Sequence, residues 1–249
     1  MGDLLPRAEL RGLIAHLRRR AYILVGVFFF GFLGGFPASG EAIEWLLDSS
    51  SYRPDGVEIV ILHPMEAILL RLRIGVNVGV ILASLILMCD ISWNGKKIVA
   101  ESRRTGGYEN GSLSGVLLVV LLAFLLGGLG AAYSHGVLVP LLLDYLSDDA
   151  ASAGLATTWQ LQSWVGFITG LYFASILGFQ VPLIASILLR GGIIDRSSIS
   201  DNRGNLWFAG LILGALISPP DPVSMFLVAG PMLLLLEVSL IVDRMTRNQ

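Results

Sequence analysis

Long apolar runs separated by short polar segments dominate the chain, and the runs predict its elements. A helix crossing the hydrocarbon layer needs about 20 apolar residues at 1.5 Å each. Six runs stand out: Ala21–Phe36, Ala67–Met88, Gly115–Leu143, Leu161–Leu189, Leu206–Ile217 and Val223–Val242. None alternates apolar and polar residues as a membrane β-strand does, and lipid cannot satisfy open backbone groups, so an all-α fold is expected. The first run is expected to stop at Pro37. The third and fourth, at 29 residues each, would span about 44 Å if straight and must tilt, kink or project. Pro140 and Pro182 lie inside them and predict a kink in each. The fifth run has 12 residues, about 18 Å, too short for an average bilayer. Ser218-Pro219-Pro220-Asp221-Pro222 separates it from the sixth.

The polar segments carry charge in alternation. Arg7, Arg11, Arg18, Arg19 and Arg20 precede the first run; Lys96, Lys97, Arg103 and Arg104 follow the second; Arg190, Arg196 and Arg203 follow the fourth; Arg244 and Arg247 end the chain. The intervening loops hold Glu41, Glu44, Asp48, Asp55, Glu58 and Glu66, then Asp144, Asp148 and Asp149, with Arg53 as their one basic residue. Basic loops stay in the cytoplasm, which predicts six crossings with both termini inside. A re-entrant hairpin at Leu206–Val242 would leave the C-terminus on the same side. Arg7–Arg20 reads as a short amphipathic helix at the cytoplasmic interface, and Ala38–Pro64 as a long outer loop.

Composition agrees with a membrane protein. Of 249 residues, 54% are hydrophobic and 14% charged, where soluble domains carry about a quarter charged residues. A net charge of −2 argues against a nucleic-acid partner. The lone Cys89 excludes an internal disulfide. A charged segment ahead of the first run, with no small-residue cleavage site after it, does not fit a signal peptide. Residues 1–249 read as a single membrane domain without soluble modules.

Chemistry-bearing motifs are few. His16, His63 and His135 lie on separate segments without metal-ligand spacing, and no nucleotide, cofactor or hydrolase motif is present. Gly31/Gly35, Gly75/Gly79, Gly166/Gly170 and Gly210/Gly214 have the spacing that lets membrane helices pack closely, and Gly127-Gly128-Leu129-Gly130 reads the same way. Polar residues at membrane depth are more informative, because each is costly unless paired or wet. Arg71 and Arg73 are read as snorkelling outward, Asp90 as sitting at the inner interface, and Glu237 as meeting water or a partner. Glu66 and Gln180 are read as lining one wet concavity of the second and fourth spans.

Several of these segments resemble, in order, a known family. His16-Leu17-Arg18-Arg19-Arg20 looks like the end of a His-Leu-x-Glu-Leu-Arg-x-Arg segment. Leu62-His63-Pro64-Met65-Glu66-Ala67 resembles a Thr/Ser-Pro-x-Glu entry to the second helix. Ala83-Ser84 and Trp93 echo the end of that helix, and Glu101-Ser102-Arg103-Arg104 the Glu-Arg-rich loop after it. Pro140 matches a proline late in the third helix, and Phe179-Gln180-Val181-Pro182 a Phe-Glu-x-Pro motif in the fourth. Ser218-Pro219-Pro220-Asp221-Pro222, Pro231 and Glu237 resemble a Thr-Pro-Pro-Asp turn and the sixth helix. The family is TatC, the core membrane subunit of the twin-arginine, Sec-independent protein translocase. Two departures mark a divergent or specialised member: His16 replaces a glutamate, with Glu9 on the same helical face as the candidate substitute, and Gln180 replaces another.

The resemblance implies a signal-peptide receptor and not an enzyme, with no cofactor or metal, driven by the membrane potential or proton gradient. It implies that Glu101, Arg103, Glu9, His16 and Arg18 serve twin-arginine signal binding at the cytoplasmic face. It assigns Glu66, Pro64, Gln180, Pro182, Asp221 and Glu237 to a membrane cavity receiving small single-span partner subunits. Precursor signals, those subunits, membrane lipid and further copies in a homo- or hetero-oligomer are the implied partners. The rival readings are a small-solute transporter, which would favour inverted repeats with matching broken helices, and a TatC-like assembly protein without signal binding.

Overall fold

The computed structural model describes residues 7–49, 52–53, 57–103, 113–154, 158–191, 193, 199, 201–217 and 222–247; the side chains of 7–13, 96–103, 213–214, 216–217, 222–224 and 242–247 lie outside the description. Helix α1 runs unbroken over Arg7–Asp48. The N-terminal basic segment is therefore the first turns of the first span and not a separate interfacial helix. Pro37 does not end α1 either. It removes one backbone donor, the one Leu33 O would accept, and the helix nonetheless continues; two residues on, Ser39 donates its hydroxyl to Phe36 O at 2.5 Å. The long outer loop is correspondingly shorter, since Ala38–Asp48 is helical.

Helix α2, Glu66–Arg103, runs back along α1, and glycines set how close the two lie. A Cβ on Gly79 would stand 2.6 Å from Phe28 O, and one on Gly31 2.9 Å from Gly79 Cα. One turn on, a Cβ on Gly35 would stand 3.2 Å from Gly75 Cα. Phe28 and Phe32 lay their rings over Gly79 and Gly75. The glycine spacing is a packing device, as its period suggests.

The third run forms α3, Leu113–Tyr133, then a π-helical turn at Ser134–Leu138, then α4, Val139–Ser152. Pro140 lies just beyond that wide turn, where the helix absorbs the missing donor by widening instead of breaking. The fourth run does break. Helix α5, Leu161–Gly178, gives way at Phe179-Gln180 to α6, Val181–Arg190, with Pro182 in its first turn. Helices α7, Arg203–Ile217, and α8, Pro222–Arg247, close the fold. Helix α7 has 15 residues, about 22 Å, so it is short for a bilayer.

Helices dominate, but not to the exclusion of strand. Strands β1, Glu58–Val60, and β2, Thr158–Gln160, pair in parallel, Ile59 opposite Trp159. The pair is parallel because each leads into a helix, α2 or α5, starting at the same end of the bundle. Apolar side chains gather in two clusters. One lies toward this strand end around Leu70, Leu138, Leu142, Trp164 and Ile168; the other joins Met88, Ile91, Val119, Ala123, Leu183 and Ile187. Outside them, Phe30 is 76% exposed and Phe124 67%, the apolar surface a protein offers to lipid. Among the described residues, four stretches are long and apolar enough to cross a membrane: Ile14–Asp48, Glu66–Gly95, Leu113–Ser152 and Leu161–Arg190; Met225–Ile241 is a shorter apolar helix.

Candidate functional site

At the end opposite the strands, α1 and α2 are clasped by Asp90. Its carboxylate meets the His16 Nε2 and accepts from Asn94 Nδ2 at 3.0 Å, while Arg20 Nε lies 3.4 Å away. Asn94 also donates to the Asp90 carbonyl at 3.1 Å. Side chains of His16 and Asp90 are only 16% and 17% exposed, so this is a half-sheltered polar junction. Arg18 is exposed beside it. Both helices continue past the clasp: α1 carries Glu9 about 10 Å beyond His16, and α2 carries Glu101 and Arg103 about 16 and 20 Å beyond Asp90. The side chains of Glu9, Glu101 and Arg103 lie outside the described residues. Sequence reading named His16 and left Asp90 as an interfacial bystander. Only the fold shows that the two meet.

The break between α5 and α6 is a second polar junction. Where a continuous helix would bond Gln180 N–H to Ile176 O, that N–H turns to Leu177 O at 3.0 Å. The Gln180 side chain repairs the loss: Nε2 donates to Ile176 O at 3.3 Å and to Ala123 O, on α3, at 3.1 Å. The reverse amide orientation would set an oxygen against two carbonyls. Gln180 is 4% exposed, and its Oε1 is a buried acceptor with no partner among the described residues. Gly127 makes room for the amide, since a Cβ there would sit 3.3 Å from Nε2. Pro182 is buried in the first turn of α6, and its carbonyl accepts from Ser239 Oγ of α8 at 3.0 Å.

Glu66 is not beside Gln180. It is fully buried at the start of α2, where its carboxylate accepts from Leu62 N at 2.9 Å, His63 N at 2.8 Å, Gln160 Nε2 at 2.8 Å and Gln162 N at 3.3 Å. The expected shared concavity is thus replaced, for Glu66, by a closed clamp joining α2 to the strand leading into α5. A carboxylate with four donors and no exposure has no face left for a wet lining. Pro64 is exposed in the turn before it. Glu237, expected to meet water or a partner, finds its partners within the chain: it accepts from Arg203 through Nε and Nη2 and from Trp207 Nε1 at 2.9 Å. Asp221 lies outside the described residues.

A cluster that sequence reading passed over lies near the strand end. Tyr52, fully buried, bonds through its hydroxyl to Tyr172 OH at 2.6 Å and to the His135 ring; Trp164 Nε1 donates to its carbonyl at 3.1 Å. His135 belongs to the π-turn. Its isolation in the sequence hid that it faces two tyrosines from distant segments. No group of three or more potential metal ligands occurs among the described residues.

These features coincide with one known family. The family model for TatC, Sec-independent protein translocase protein, matches residues 13–231. The TatC protein of Helicobacter pylori strain J99 is 26% identical over 242 residues, covering 95% of this chain and 89% of its own length. That of Aquifex aeolicus is 25% identical over 237 residues, covering 95% of each. A crystal structure of the twin arginine translocase receptor TatC superposes with a TM-score of 0.70 at 24% identity, over 95% of this chain and 98% of that one. A second, in DDM, gives 0.73. The fold is thus the six-helix membrane fold of those structures, with the last two helices short in their apolar reach. The chain belongs to the TatC family of Sec-independent protein translocase proteins.

Proposed function

We propose that the chain is the signal-peptide receptor and core subunit of a Sec-independent translocase, with both termini in the cytoplasm and the strand end outside. Its family consists of translocase components, not enzymes, and its apolar helices make it a multi-pass membrane protein. A twin-arginine motif docks where α1 and α2 emerge together, with Glu101 and Glu9 as the carboxylates and His16, Arg18 and Arg103 around them. The observation that supports this is the Asp90 clasp. It ties the two helices that bear those glutamates to one another at the base of the proposed surface. Two guanidinium groups need carboxylates held at a fixed separation, and a clasped helix pair supplies that preorganisation.

Small single-span subunits then assemble against the membrane face. Of Pro64, Glu66, Gln180, Pro182, Asp221 and Glu237, Gln180 is the anchor proposed, because it keeps a buried acceptor free for a partner's donor. Crosslinking to a twin-arginine precursor peptide, with a twin-lysine peptide as control, tests the receptor reading. The expected result is label on the twin-arginine peptide alone, abolished by Glu101→Lys and weakened by about 1–3 kcal/mol in Glu101→Gln. Equal label on the twin-lysine peptide would sink it.

A further inference from the structure

Tyr52, His135 and Tyr172 come from three distant segments and meet at one point. The Tyr52 hydroxyl touches His135 Nδ1 and lies 2.6 Å from Tyr172 Oη, which itself lies 3.0 Å from the same Nδ1. All three polar atoms are thus in mutual hydrogen-bond contact, and their protons can be counted. With the imidazole neutral and its proton on Nε2, Nδ1 accepts from one hydroxyl, and that hydroxyl's oxygen accepts from the other. Every proton then has an acceptor. A proton added at Nδ1 turns the nitrogen into a donor, and one hydroxyl proton is left facing a group that cannot accept it. The surplus has no easy outlet, because Tyr52 is fully buried and Tyr172 partly so. A buried donor without an acceptor is costly.

The other side of the ring has the opposite preference. Trp45 of α1 stacks on His135 with centroids 5.9 Å apart, and an indole face attracts a cation. On α1, Glu41 and Asp48 share the helical face of Trp45, one turn to each side, and both are exposed. No charged side chain bonds to His135 among the described residues. Helices α3 and α5 carry none, the first acid of α4, Asp144, is more than two turns beyond, and Arg53 turns its Nε to Val57 O at 3.0 Å. Tyr52 and Tyr172 are thus the titratable groups in contact with the ring. The cluster is also within reach of water. Trp45 stands about 43 Å along α1 from His16, whereas the hydrocarbon layer is about 30 Å thick, and His135 is exposed.

We propose that Tyr52, His135 and Tyr172 form a proton-operated latch at the strand end of the bundle. A proton taken up from water at Nδ1 turns His135 from acceptor to donor and leaves its ring to Trp45. Tyr52 is released, and the connection from α1 to β1 is unfastened from α5 and the π-turn. An imidazole is suited to this, since its charge changes between about pH 5 and 8. The latch rests on these contacts and not on the signal-binding reading. Only its place on the outer face, which proton pumping acidifies, rests on the orientation proposed above. The test is hydrogen exchange of the full chain in maltoside micelles, read by mass spectrometry in the peptide holding Tyr52. Its amide, bonded to Ser49 O at 3.3 Å, is the reporter. Rates at about pH 7.5 and about pH 5.5 are compared after correction for the intrinsic pH dependence of amide exchange. Wild type should exchange about ten-fold faster at the lower pH, as loss of one hydrogen bond implies. His135→Gln keeps an oxygen acceptor and takes no charge, so it should hold the slow rate at both. If that variant exchanges fast at both, it has misfolded, and Tyr52→Phe decides. Tyr52→Phe keeps the buried ring without its hydroxyl and should show one rate at both pH values. A wild-type rate unchanged by acid would overturn the latch. So would a wild-type response that persists in His135→Gln, which would pass the effect to Glu41 and Asp48, or one that persists in Tyr52→Phe.

Discussion

At the scale of single residues, two buried polar groups do opposite jobs. Glu66 has four donors and spends them holding the entry of α2 against the entry of α5. Glu66→Ala would leave those donors buried and unanswered. Its loss of stability should exceed about 1.5–3 kcal/mol, the worth of one hydrogen bond to a charged group, in thermal unfolding in detergent. Glu66→Gln, which keeps one oxygen acceptor, should fall between the two. Gln180 is under-satisfied instead, donating twice and accepting from none of the described residues. Gln180→Leu removes a donor from two carbonyls, an expected cost of about 1–3 kcal/mol, and should also lower transport and partner crosslinking. Gln180→Glu separates the two effects. An ionised carboxylate has no proton for Ile176 O or Ala123 O, so the variant should lose stability while keeping an acceptor for the partner. Normal transport by Gln180→Leu would reduce the site to packing.

At the scale of elements, how much could be read beforehand depended on how local the cause was. Apolar runs and glycine spacing depend only on neighbours along the chain, so the helical runs and the close-packing role of Gly31/Gly35 and Gly75/Gly79 were legible, though not that those two pairs meet. Helix ends were not, because Pro37 was expected to end a helix that membrane burial keeps intact: where no water competes for freed carbonyls, helix is the cheapest state. Prolines 140 and 182 were legible as irregularities but not as different ones, a π-turn and a full break. Pairings across segments were illegible: His16 with Asp90, Glu237 with Arg203, Tyr52 with His135. Each depends on which faces meet, and one sequence does not encode that locally. The glycine contact gives the sharpest test. Gly79→Leu must displace backbone at Phe28 O, not a pliant side chain. It should cost about 1–3 kcal/mol as overpacking, visible as a lower midpoint of thermal unfolding in detergent. Gly26, with nothing within 4 Å of its missing Cβ, should accept alanine freely in the same assay.

At the scale of the whole molecule, the two ends differ in kind. One is closed by β1–β2, the Glu66 clamp and the Tyr52 cluster; the other extends α1 and α2 beyond the Asp90 clasp. If the charge asymmetry orients the chain as proposed, a cysteine at Ser152 in a Cys89→Ser background should react with an impermeant thiol reagent from outside. One at Ser198 should not, and outside labelling at Ser198 would invert the orientation.

The Arg203–Glu237 pair has a consequence for how the chain is made. Synthesis delivers α7 first, and at about 22 Å it is a poor passenger for a bilayer on its own. Helix α8 follows with Glu237 inside its apolar stretch, a charge that costs about 2.5–3.5 kcal/mol if it enters unaccompanied at the centre of the layer. Bound to Arg203 and Trp207, that carboxylate is already answered. The last two helices thus make a single cargo for the insertion machinery, committed only once α8 has emerged to fold back on α7. A chain truncated after Ile217, in a Cys89→Ser background, should accordingly leave a cysteine placed at Ala209 of α7 open to a water-soluble thiol reagent. Arg203→Ala should leave a reporter fused after Arg247 split between the two sides of the membrane.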